Sequence, residues 1–353
     1  MTPIKIVAPR QFDLPSAISF AAEIAGTPDA DEYALDFSNV RLVEPFPMLL
    51  ISSEFRKLAR RENAPTFVCS NFEHMTYAAH MGFFKSFGIE HGNAPGEAPG
   101  SARYLPITVF EIEDVEREAA LKGIEVGNQI ESTSQRLSAM LCGSEEGPLF
   151  DTLTYSIREI MRNAVEHSRA ERFGICAQHW PSKHRVEVAI LDRGIGIRNT
   201  LSRNPHIDVS DDKKALNFAL MPAVSGKAFK GSKVRRRGNW TNSGFGLYMT
   251  NRICRNGGNF FIASGDAGML LTKGEGKRYF GCGLDGTAVR MVIDTSQLPQ
   301  LRDSLHRYKE EGFEFQRKYK EIVDIDPSSA SLMLSEDFEV SVVDRILSKL
   351  KLR

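Results

Sequence analysis

Glu159, Asn163 and His167 fall at i, i+4 and i+8 within the stretch Phe150–Ser168. On a helix this spacing stacks a carboxylate, a carboxamide and an imidazole in a row along one face. A carboxamide oxygen is a neutral, hard donor. It suits a Mg2+ ion whose other ligands are phosphate oxygens and water. A carboxylate one turn away can orient or deprotonate a nucleophile. Leu153, Ile157, Ile160, Met161 and Ala164 form an apolar stripe beside the row, which predicts a helix with one face on a core and the polar row facing a cleft. The same triplet also fits a plain solvated helix face.

Three further pieces could complete such a cleft. In Val186–Ile197, Val186, Val188 and Ile190 alternate with Glu187 and Ala189, as in a strand with one face buried. That strand ends at Asp192-x-Gly194-x-Gly196, where glycines allow a sharp turn and Asp192 can accept a hydrogen bond from an exocyclic amine. Gly244-x-Gly246-Leu247 opens a predicted helix that Gly257 and Gly258 end. Unpaired N–H groups at such an opening can seat phosphate. Finally, Gly286-Thr287 precedes an alternating strand to Ile293, and Thr287 could share base recognition with Asp192.

In chain order these are a helix with Glu-x-x-x-Asn, a strand ending in DxGxG, a glycine-opened helix and a strand led by Gly-Thr. On these residues segment 148–296 resembles the GHKL superfamily of ATP-binding domains, named for gyrase, the heat-shock chaperone, histidine kinases and MutL. The resemblance implies a Bergerat-type α+β two-layer sandwich that binds ATP with Mg2+. It implies that Asn163 holds the metal and Asp192 binds the adenine amino group. By the same likeness Gly194 and Gly196 shape the adenine pocket, Gly244, Gly246 and Leu247 meet the phosphates, and Thr287 supports Asp192. Glu159 matches the family's water-activating carboxylate. With His167 in place, the helix looks like that of the anti-sigma serine kinases. The interval between Gly196 and Gly244 corresponds to the family's lid over ATP. It carries Lys227, Lys230, Lys233, Arg235, Arg236 and Arg237 with no acid between them. That run reads as a solvated basic loop, a clamp on a triphosphate or a patch for an acidic partner.

The elements around this segment suggest how it is organised. Residues 1–112 alternate strands (Ile4–Ala8, Tyr33–Phe37, Thr66–Cys69, Ile107–Ile112) with helices (Leu14–Ala25, Pro47–Arg61, His74–Phe87), which predicts a small α/β unit. Its rhythm is similar to STAS domains. At the stretch where that family carries a phosphoacceptor serine, this chain has Pro45 and Phe46, so autophosphorylation there is not expected. Residues 113–147 are polar and read as a helical connector, with a dimerising helix as the alternative. Residues 297–353 read as a helical C-terminal extension.

The length of 353 residues suggests two or three domains. Lys+Arg and Asp+Glu are 45 each, which argues against a surface built to hold nucleic acid or membrane. No apolar run approaches the ~20 residues of a membrane span. The five cysteines are scattered, which favours a reduced, cytoplasmic protein without a zinc site. The expected function is an ATP-binding regulatory protein that binds Mg-ATP, hydrolyses it slowly and switches contacts with a protein partner. A protein serine kinase acting on a separate protein and a non-catalytic nucleotide-gated module are the alternatives.

Overall fold

The computed structural model describes residues 3–222, 224–227, 246–300 and 314. The N-terminal elements are β1 (Ile4–Val7), β2 (Gln11–Phe12), α1 (Leu14–Gly26), β3 (Glu32–Asp36), β4 (Leu42–Val43), α2 (Pro45–Ala59), β5 (Thr66–Ser70) and α3 (Thr76–His80). There follow β6 (Tyr104–Glu111), α4 (Ile112–Leu121), α5 (Val126–Cys142), α6 (Pro148–His167), β7 (Arg172–Trp180), β8 (Arg185–Asp192), α7 (Gly196–Leu201), α8 (Asp212–Ala219), α9 (Gly246–Cys254), β9 (Asn259–Thr272) and β10 (Arg278–Asp294). The fold is mixed α/β. A parallel sheet of order β1-β3-β5 accompanies an antiparallel sheet of order β6-β7-β8-β10-β9, and β2 pairs briefly with β4.

Local signals explain several element ends. The Asp13 side chain accepts the Ser16 N–H at 3.0 Å and caps α1. Pro45 occupies the first turn of α2, where its missing N–H costs nothing. The helix expected over His74–Phe87 is broken into α3 and a short 3-10 turn at Lys85–Phe87, because Gly82 between them adopts φ +88°.

Helices α1 and α2 are sandwiched between the two sheets. Eleven of the fifteen residues of α2 are buried, on all sides of the helix. One apolar cluster joins Ile6 and Leu35 of the parallel sheet, Phe46 and Leu50 of α2, and Ala189, Leu191, Phe261 and Ala288 from one face of the antiparallel sheet. The opposite face of that sheet, with Val188, Ile190, Ile262 and Val289, packs on α5, α6 and α9.

This layering corrects three expectations. The strand placed last in the N-terminal unit does not join the parallel sheet: Tyr104–Glu111 pairs with β7 at the edge of the antiparallel one. The boundary at residue 112 therefore falls inside the second unit. Residues 113–147 are not a solvated connector either, since Val115, Ile130, Leu137 and Leu141 are buried in the core with α6. Lastly, β8 is buried on both faces, and Glu187 has no exposure at all.

Glu187 is tolerated there because a charged cluster receives it. It accepts Arg185 Nη2 at 2.6 Å, Arg290 Nη2 at 2.8 Å and the Phe46 backbone N–H at 3.1 Å. Glu44, which precedes α2, accepts the same two guanidinium groups at 2.8 and 3.1 Å. Paired and hydrogen-bonded, the buried charges tie the start of α2 to the sheet.

Of the extension expected over 297–353, residues 301–313 and 315–353 lie outside the described residues. Among the described residues no helix is long and apolar enough to cross a membrane.

Candidate functional site

The four separated pieces meet at one cleft between α6, the end of β8, the middle of β10, β9 and α7 to α9. Glu159, Asn163, His167, Asp192, Gly196, Gly246, Leu247 and Thr287 all line it. Its other walls are mostly apolar, with Ile160, Ala164, Ile190, Leu201, Ile262 and Val289 among them and Ser168, Thr200 and Ser225 as the polar exceptions. A mostly apolar slot with one buried acidic polar group suits a heterocycle that carries a hydrogen-bond donor.

Asp192 is that polar group. It ends β8, pairs in register with Thr287 of β10, and is 6% exposed. Its Oδ1 accepts the Gly194 N–H at 2.9 Å. Burial pushes its carboxyl up to about 6, and backbone donors from Gly194 and Thr287 oppose the rise.

The turn after Asp192 is built by close approach. Gly194 does not line the cleft. A Cβ there would come within 2.0 Å of the Ser168 carbonyl, which accepts the Ile195 N–H at 2.7 Å. The glycine therefore serves the contact between turn and α6 rather than a ligand. Gly196 has φ +76°. Ser264, buried in β9, fastens this turn to the next: its Oγ accepts the Ile197 N–H at 2.9 Å and donates to the Gly286 carbonyl at 2.7 Å. The sequence offered only one signal for Ser264, a hydroxyl directly after the apolar run Phe260–Ala263.

Along α6 the apolar stripe is buried as expected, with Leu153, Ile157 and Met161 fully so, and the polar row beside it faces the cleft. Glu159 Oε1 accepts from Arg158 Nε and Nη2 at 3.1 and 2.8 Å, and Arg158 is anchored in turn by Glu131 of α5 at 3.0 Å. Glu159 abuts Gly246, where a Cβ would come within 2.2 Å of its Oε2. Asn163 has no hydrogen-bond partner among the described residues, so its carboxamide is available to a ligand. His167 is held neutral. Burial first, then Lys227, Arg162 and Arg203, lower it to about 4.

The interval beyond Gly196 is partly helical, contrary to its weak periodicity. Asp211 caps α8 through the Lys214 N–H at 2.7 Å, and Arg198 and Asn204 brace α7 against Val209 and Ser225. Lys227 donates its ammonium to the Glu166 carbonyl at the end of α6. Gly244, Lys230, Lys233 and Arg235–Arg237 lie outside the described residues.

No group of three or more His, Cys, Asp or Glu side chains among the described residues could hold a metal by itself. A cation here would need a ligand's own oxygens beside Asn163, which is how Mg2+ is ordinarily held on a nucleotide. The chain matches no protein-family model and no curated protein.

Proposed function

We propose that the chain is an ATP-binding regulatory protein of the GHKL type, with a Bergerat-like ATP unit and a STAS-like N-terminal layer. It binds Mg-ATP in the cleft, hydrolyses it slowly and so switches contacts with a protein partner. The observation that carries this reading is convergence. Residues spread from position 159 to position 287 line a single, mostly apolar slot together with a buried carboxyl and the polar row of α6.

In this reading the base lies between Ile190, Val289 and Ile262 on one side and Ala164 and Leu201 on the other. Asp192 accepts a hydrogen bond from the exocyclic amine, held in aim by Gly194, Thr287 and the Ser264 tie. Asn163 lends its carboxamide oxygen to Mg2+, which when bound neutralises phosphate charge. Glu159, one turn away and braced by Arg158, orients the water that attacks. Neutral His167 adds no charge and extends the row toward the end of α6.

The kinase alternative would need an acceptor from another protein. Ser52 is buried and donates to the Leu49 carbonyl at 3.1 Å, and Ser53 accepts from Arg193 at 2.9 Å. Both lie on α2, across the antiparallel sheet from Asn163.

Phosphate release from radiolabelled Mg-ATP tests the reading. Glu159→Gln is expected to cut turnover by roughly 100-fold, the scale of a lost general base, while ATP affinity stays within about threefold. Wild type that binds ATP but releases no phosphate and labels no protein would favour the gated module. Label on a co-purified protein would favour the kinase.

A further inference from the structure

Arg193 sits between Asp192 and Gly194, yet it does not line the cleft. It reaches to α2, on the other side of the sheet. Its Nε donates to Ser53 Oγ at 2.9 Å and its Nη2 to Glu54 Oε1 at 2.7 Å. One turn along the same helix, Lys57 donates to Asp285, the residue before Gly286-Thr287. Residues 53, 54 and 57 of α2 thus grip both turns that floor the cleft.

The two turns are themselves in backbone contact. A Cβ on Gly286 would come within 2.1 Å of the Asp192 carbonyl, and Ser264 bridges the Gly286 carbonyl to the Ile197 N–H. A shift of Arg193 must therefore move Asp192 and Thr287 together.

Glu54 is the unusual member. It is 3% exposed, and Arg193 is its salt-bridge partner. A buried ion pair of this kind is a poor source of stability, because well-packed apolar residues of similar volume usually do as well or better. Its retention calls for a geometric reason, and the turn it holds carries Asp192. Lys57–Asp285 differs: both side chains are largely exposed, so that pair alone would fix little.

We propose that Glu54 is a positioning residue for the base end of the cleft: through Arg193 it sets the turn that aims the Asp192 carboxylate. It touches no ligand. The N-terminal layer is then part of the binding site rather than a module beside it, and a partner that shifts α2 changes purine affinity. This inference rests on reading the cleft as a purine site.

Two ligands separate the ends of the site: adenosine probes the base end and inorganic tripolyphosphate the phosphate end. Glu54→Leu leaves the Arg193 charge without its partner and can cost folding. The double variant Glu54→Leu/Arg193→Leu removes both charges and is expected to melt at or above the wild-type temperature. It should nevertheless bind adenosine about tenfold or more weakly, with tripolyphosphate affinity within about twofold, on the scale of a misaimed charged hydrogen bond. Arg61→Ala is the control. Arg61 binds the Thr27 carbonyl, Asp29 and the Tyr33 hydroxyl, far along the chain from Arg193, and its loss should leave both affinities unchanged.

Amide exchange in the ligand-free protein decides the turn itself. In the double variant the Gly194 and Ile195 amides should exchange about tenfold faster relative to the Val188 amide in the middle of β8. Unchanged protection at Gly194 and Ile195, or wild-type adenosine affinity in a stable double variant, overturns the proposal. Wild type that binds neither adenosine nor ATP would sink the purine reading instead, and the exchange result would still decide whether Glu54 positions the turn.

Discussion

Replacing Asp192 with Asn should make the ligand-free protein more stable at neutral pH and make it a poor binder of adenine nucleotides. The two effects share a cause. Burial raises the Asp192 carboxyl to about 6, above the ~3.9 of an unfolded aspartate. A group with a raised folded value contributes its full stability below the unfolded value and loses it as pH rises through the folded one. Above pH ~6 the native state therefore carries a buried, ionised carboxylate at a cost on the order of 1–3 kcal/mol. Asn keeps an acceptor for the Gly194 N–H and removes that cost.

The same substitution deletes a charge-assisted hydrogen bond to the amine. Such bonds contribute about 1.5–3 kcal/mol, so affinity should fall roughly 10- to 100-fold. Wild-type affinity should also weaken as pH drops below about 6, where Asp192 gains a proton, and the variant should lose that dependence. Scanning calorimetry and titration calorimetry at pH 5.5 and 7.5 measure both halves. A less stable variant with unchanged affinity would make Asp192 a structural residue.

The largest stability loss is expected at Glu187→Ala. This change empties a fully buried site and strips Arg185 and Arg290 of one of their two shared carboxylates, leaving Glu44 for both and Asn259 for Arg290. Breaking a buried pair from one side typically costs about 3–5 kcal/mol. Arg290 is 6% exposed. The cluster sits on the α2 face of the sheet, away from the slot, so nucleotide affinity should change little while the protein remains folded. Urea unfolding measures the loss. A shift under about 1 kcal/mol would mean that the layers are not locked through these charges.

Helix α6 was legible because its apolar stripe repeats from Leu153 to Ala164, about three turns, and the polar row lies beside it. The DxGxG turn was legible as a turn, but the reason for Gly194 was not: its neighbour is the Ser168 carbonyl, distant in sequence. The second face of β8 was hidden for a related reason. Alternation reports that one face is apolar, and Glu187 on the other looks solvated unless its donors at residues 46, 185 and 290 are known. The strand expected over Ile107–Ile112 forms as Tyr104–Glu111 but in the other sheet, since β-propensity carries no information about the pairing partner. The polar run at Glu113–Glu118 read as a connector because its charges outnumber the buried Ile112, Val115 and Ala119. Ser264 and Glu54 act through contacts that no spacing rule encodes.

The central claim is that one purine triphosphate occupies the slot with Asp192 at its base end and Asn163 at its metal end. Titration calorimetry with a non-hydrolysable ATP analogue and Mg2+ tests it most directly, on wild type, Asp192→Asn and Asn163→Ala. The account expects saturable one-to-one binding, on the order of micromolar. It should weaken in Asp192→Asn with or without metal, and lose its Mg2+ dependence in Asn163→Ala. Folded wild-type protein that takes up no analogue at millimolar concentration, or binding that both substitutions leave untouched, would contradict it.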